Sequence, residues 1–176
     1  MANKFHTVTV TPTIRLNYSQ VNDAMGDLTV IPLPVRAGQS VMLRNISIID
    51  RAKINKDTLL VFMKSNSGDP ELGTDAGIVD ITDANLMTNG FLGTVLHNYN
   101  EDVANNGPKH TYDMQASQVT TYTDVNIVLT AENVTPSSAP TALKQTGCYL
   151  GLVAIEAQDL GSAADNYVIT FGFEVL

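Results

Sequence analysis

Tryptophan is absent from this 176-residue chain, cysteine occurs once, and charged residues make up only 16%. A lone Cys148 excludes an internal disulfide. It lies in the apolar run Cys148–Val153 and is expected to act as a small buried hydrophobe. With no tryptophan and no cysteine pair, an immunoglobulin-type domain is disfavoured. Basic residues are scarce: 10 Lys and Arg stand against 18 Asp and Glu, for a net charge of -8. Arg44, Arg51, Lys53 and Lys56 are the nearest approach to a basic stripe, and Asp50 and Asp57 interrupt it. A nucleic-acid binder needs a basic face against phosphates, so that class is excluded as the main function. An anionic membrane surface is disfavoured for the same reason. No apolar stretch approaches the ~20 residues of a membrane span. Met1–His6 lacks the apolar centre of a signal peptide, so synthesis and folding in a cytoplasm are expected.

Catalytic patterns are missing too. His6, His97 and His110 are the only histidines, and none has the close spacing of a zinc site. They read as three unrelated surface or strand-end residues, and the histidine cluster of a cupin is not there. Asp69, Glu71, Asp75 and Asp80 fall in a Gly-containing loop of the kind that can hold calcium, but their spacing does not match an EF-hand and Pro70 restricts the backbone. Glu101 and Asp102 are adjacent in a loop rather than facing each other on rigid elements, as glycoside hydrolysis requires. No Gly-x-Ser-x-Gly, P-loop or dinucleotide fingerprint occurs, and Cys148 with His97 has no third group to support it as a nucleophile pair. The expectation is a non-enzymatic chain with no catalytic residue, no cofactor and no metal.

What the chain does have is a series of strand-like runs cut apart by Gly, Asn, Asp and Pro. Val41–Ile49, Leu59–Met63, Val119–Leu129, Cys148–Ala157 and Asn166–Val175 are the strongest. Phe5–Val10 alternates, as does Thr13–Tyr18, and Gly93–His97 and Ile78–Ile81 are shorter candidates. Pro32 and Pro34 confine Leu28–Ile31 to a sheet edge or end. Ser65–Gly77, Asn98–Ala116 and Thr135–Thr141 read as long loops, and Thr82–Met87, closed by Asn89-Gly90, as a short helical turn. About nine strands in one modest chain predict a single all-β domain over residues 1–176. Its expected form is an antiparallel two-sheet, jelly-roll-like sandwich with at most one or two helical turns. Asn3–Val10 is either an arm that adds to a neighbour's sheet or an edge strand of its own. Alternation predicts burial of Val41, Leu43, Ile46, Ile48, Leu60, Phe62, Ile127, Leu129, Val153, Ile155, Val168 and Phe171. The period slips by one between Leu43 and Ile46, which predicts a bulge at Arg44-Asn45.

One order of segments resembles a family. Gly26–Ile31 leads through Ala37-Gly38-Gln39-Ser40 into Val41–Asp50, then Asp57–Asn66, then Ile81-Thr82-Asp83-Ala84. This is similar to small virion structural proteins of tailed bacteriophages, and most to capsid decoration (cement) proteins. The likeness covers roughly the first half of the chain. It implies a β-sandwich on the outside of the capsid shell, with the major capsid protein as partner and no active site to carry over. It also implies self-association, with a trimer ahead of a dimer. A low charge fraction and polar residues that are largely Thr, Asn, Ser and Gln fit either a chain that sits against a partner or simply a Thr-rich β protein, since Thr favours strands. The other readings are a tail or head-fibre component, and a carbohydrate-binding jelly roll with Tyr99 and Tyr112 as platforms.

Overall fold

The computed structural model describes residues 4–14, 21, 23–51, 56–66, 87–98, 109–113, 118–134, 145–157 and 167–176. They form eleven strands: β1 (Phe5–Val10), β2 (Thr29–Pro32), β3 (Ser40–Asp50), β4 (Thr58–Met63), β5 (Phe91–His97), β6 (Lys109–Asp113), β7 (Gln118–Tyr122), β8 (Ile127–Thr130), β9 (Glu132–Val134), β10 (Gln145–Ala154) and β11 (Tyr167–Val175). Every pairing is antiparallel. One sheet runs β1-β11-β3-β7-β6, with β8 also on β3; the other runs β2-β10-β4-β5, with β9 also on β10. The two sheets face each other across a core that includes Leu43, Ile46, Leu60, Phe62, Leu150, Phe171 and Phe173. This is the expected all-β sandwich.

Each sheet is built on one long strand. β3 takes β11 along one edge and two shorter strands, β7 and β8, end to end along the other. β10 takes β2 along one edge, and β4 and β9 end to end along the other. The run expected as one strand, Val119–Leu129, is therefore two strands. It breaks at Thr123–Asn126, where Asp124 and Asn126 have φ of 58° and 56°. Asp and Asn tolerate this left-handed conformation better than other non-glycine residues. The break faces the predicted bulge: Gly172 pairs with Asn45 and Phe173 with Leu43, leaving Arg44 as the extra residue of β3. Val125 N–H then donates to the Arg44 carbonyl at 3.0 Å, so the irregular stretch still satisfies part of the ladder.

The chain changes sheet at Ala131, between β8 and β9. Ala131 is fully buried; its N–H donates to Gln39 O at 2.9 Å and its carbonyl accepts from Gly38 N–H at 2.8 Å. Gly38, at φ 84°, makes the turn that brings these groups into place. β6 occupies part of the stretch expected as the loop Asn98–Ala116, and β9 was not expected at all. The strand expected over Thr13–Tyr18 is, where described, a single bridge from Ile14 to Gly26. A helical turn over Met87–Asn89 ends at Gly90, whose φ is 66°. Thr82 and Asp83, its expected caps, lie outside the described residues, as do the strand candidate Ile78–Ile81 and the loops Ser65–Gly77 (beyond Asn66) and Thr135–Thr141.

Nine of the twelve expected core residues are buried, and three are corrected to half-buried. Val168 lies on the wrong face: the inward set on β11 is Tyr167, Ile169, Phe171 and Phe173. Ile127 packs on the rim of the core, and Ile155 has left β10. The five-stranded sheet buries both faces at β4 and β10. Val61, Met63, Tyr149 and Val153 form a second cluster on its outer side with Ala24, Leu28 and Val134. That explains why β4 and β10 read as continuous apolar runs rather than alternating ones.

Candidate functional site

Polar side chains collect inside the sandwich at one end. Alternation along β3 turns Ile46, Ile48 and Asp50 inward, so the last residue of the strand is an aspartate only 3% exposed. Asp50 pairs across with Tyr167 on β11 and with Gln118 on β7. From the other sheet, Thr58 and His97 form a cross-strand pair. His97 Nδ1 and the Tyr122 hydroxyl are 2.7 Å apart, and the Tyr167 hydroxyl lies 3.4 Å from Thr58 Oγ1. The His97 ring meets Tyr122 and Tyr167 edge-on, at 5.9 and 6.2 Å between centroids. His97, Thr58, Thr120, Gln118 and both tyrosines are all buried. Gln118 Oε1 has no hydrogen-bond partner among the described residues.

Electrostatics at this end oppose ionisation of the tyrosine. Burial, and then the nearby Asp50 carboxylate, raise the Tyr167 phenol well above its ordinary value. The space bounded by Ile48, Thr58, Leu60, His97, Leu152, Tyr167 and Ile169 does not admit a water molecule. A closed cluster of this kind ties the two sheets together; it has no room for a substrate.

His6 pairs with Phe173, at the far end of β11 from Tyr167, so it does not join His97. His110 and Tyr112 lie on β6. Asp69, Glu71, Asp75, Asp80, Tyr99, Glu101 and Asp102 lie outside the described residues, as does Lys53. Cys148 is fully buried, and burial pushes its thiol up to about 12, so it is inert as a nucleophile. The described members of the interrupted basic series form no cationic patch. Arg44 pairs with Glu174 at 2.5 Å and Lys56 with Glu156 at 3.2 Å, while Arg51 is exposed. Glu156 is held below the usual carboxylate range, first by the Asp57 N–H and then by Lys56.

The outer face of the six-stranded sheet is different in kind. Thr9 and Thr170 hydroxyls meet at 2.8 Å, Ser40 and Thr130 at 3.1 Å, and Ser47 and Thr121 at 3.3 Å. Asn45 lies over Gly172, and the Arg44 guanidinium reaches both Glu174 and Asn126 beside the bulge. Among the described residues this face carries a ladder of three neutral hydroxyl pairs and one ion pair. Neither this ladder nor the Asp50–Tyr167–His97 cluster was legible as a site. The one available signal was the inward parity of Asp50 after Ile46 and Ile48. The chain matches no protein-family model, and no curated protein matches it.

Proposed function

We propose that the chain is a non-enzymatic structural protein of a tailed-bacteriophage virion, a decoration protein on the outside of the major capsid shell. The observation that carries this reading is the neutral hydroxyl ladder on the outer face of the six-stranded sheet. A face of neutral hydroxyl pairs, on which the described charges Arg44 and Glu174 pair with each other, suits contact with another protein rather than recognition of a charged ligand. The described segments of the virion resemblance fall on β2, β3 and β4, which include the axis of that sheet; Ile81–Ala84 lies outside the described residues. Burial of β4 and β10 on both sides suits a body that bears load across a subunit joint. Self-association of the subunit belongs to the same reading.

Mass spectrometry of purified particles tests the proposal. A decoration protein is expected at a copy number comparable to the capsid subunits. A handful of copies per particle would assign the chain to the tail or a head fibre instead. Absence from particles, together with binding on a glycan array, would favour a carbohydrate-binding module.

A further inference from the structure

Each sheet has edges, and unpaired strand edges invite pairing with another chain unless charge, proline or cover prevents it. β2 ends in Pro32, β6 carries Lys109 and Asp113, and β9 carries Glu132. β1 is uncharged, but Lys4 and Pro12 bracket it and its exposed positions include Thr7 and Thr9. Among the described residues, β5 has none of these guards. No Asp, Glu, Lys, Arg or Pro occurs from Ala84 to Asn100, in a chain of net charge -8. Among the described residues, β5 has a ladder partner on one side only, β4.

The side chains of β5 sharpen the contrast. Phe91, Thr94 and Leu96 pair with Met63, Val61 and Leu59, so they stand on the outer face of the five-stranded sheet. Further in, that face is the buried second cluster; at β5 it is bare. Phe91 is 51% exposed and Leu96 46%, and Met87 in the preceding turn is 83% exposed.

We propose that β5 is a self-association edge, pairing antiparallel with β5 of a second copy of this chain about a two-fold axis. Two acidic chains repel over most of their surfaces, and this uncharged strip is where they meet without that cost. An isologous contact joins the same patch on both copies. Centred on Val95, it sets Leu96 opposite Thr94 of the second copy on the outer face. The two apolar strips then form one continuous surface across the joint.

Sedimentation of the free chain tests this directly, apart from any virion role: a dimer that never coats particles sinks only the reading above. The full chain is expected at about twice its 18.9 kDa. Leu96→Lys, at an exposed position, should raise the dissociation constant at least ~10-fold by placing like charges in neighbouring pairs. Thr94→Lys serves if that variant does not fold by circular dichroism. Thr9→Lys on β1 should leave the dimer intact. Thr94→Cys mixed with Leu96→Cys should cross-link on oxidation more than either alone, since the natural Cys148 is buried. A monomeric wild-type chain overturns the proposal. So does a dimer that survives the β5 lysines, one abolished by Thr9→Lys, or equal cross-linking in the unmixed variants.

Discussion

Phe62 is fully buried and meets Phe171 edge-to-face, with centroids 5.9 Å apart. Truncation to Ala removes that contact and leaves a cavity between two stiff sheets. Denaturant unfolding should show Phe62→Ala less stable by about 3–5 kcal/mol. Tyr167 and Cys148 govern the alkaline limb of stability. Their ordinary values are 10.0 and 9.0, and both are raised in the fold, chiefly by burial. The folded protein thus keeps protons that the unfolded chain releases. The associated stability is complete below pH ~9 and is lost as pH rises toward the folded values. Unfolding free energy measured from pH 8 to 11 should fall with pH. In Tyr167→Phe that fall should be shallower, with a loss of about 1 kcal/mol at neutral pH from the Thr58 hydrogen bond.

At the scale of elements, β10 illustrates how tightly the strands approach. Gly147 pairs with Pro32 on one edge and Glu132 on the other. A Cβ there would stand 2.3 Å from the Ile31 carbonyl oxygen, a backbone atom that cannot swing aside. Gly147→Ala should cost about 1–3 kcal/mol by pushing β2 away, measurable by chemical denaturation. The bulge at Arg44 shows the opposite relation between sequence and element. It was readable because the apolar period slips between Leu43 and Ile46, and a period-two strand cannot change face without an extra residue. Nothing local announced that the run after Val119 would break at the same height as that bulge. The break stands against the bulge of the neighbouring strand and is joined to it by the hydrogen bond from Val125 to Arg44.

Across the whole molecule, β1 closes one edge of the six-stranded sheet. All six of its residues pair with β11, and Val10 is buried in the core. Of the two expectations for this segment, the edge strand within its own sheet is the one observed. Deleting Met1–Val10 should therefore lower the melting midpoint, since Val8 and Val10 no longer cover the core. The bared edge of β11 should also make the truncated chain aggregate on heating, readable by light scattering alongside the melt. Unchanged melting would mean that the segment contributes nothing to the sandwich.

The sequence by itself determined the class of the molecule. Strand-length apolar runs separated by turn formers admit only packed sheets, and the alternation on β3 placed Val41, Leu43, Ile46 and Ile48 in the core. It confined β2 to a sheet edge or end through its prolines. Tertiary structure decided which runs buried both faces, because an unalternating stretch such as Cys148–Val153 carries no record of which side meets the partner sheet. It alone brought Asp50, Tyr167, Tyr122 and His97 together, since they come from four strands paired across long sequence distances. Periodicity fixes the face a side chain takes; only strand order and register decide what stands opposite it.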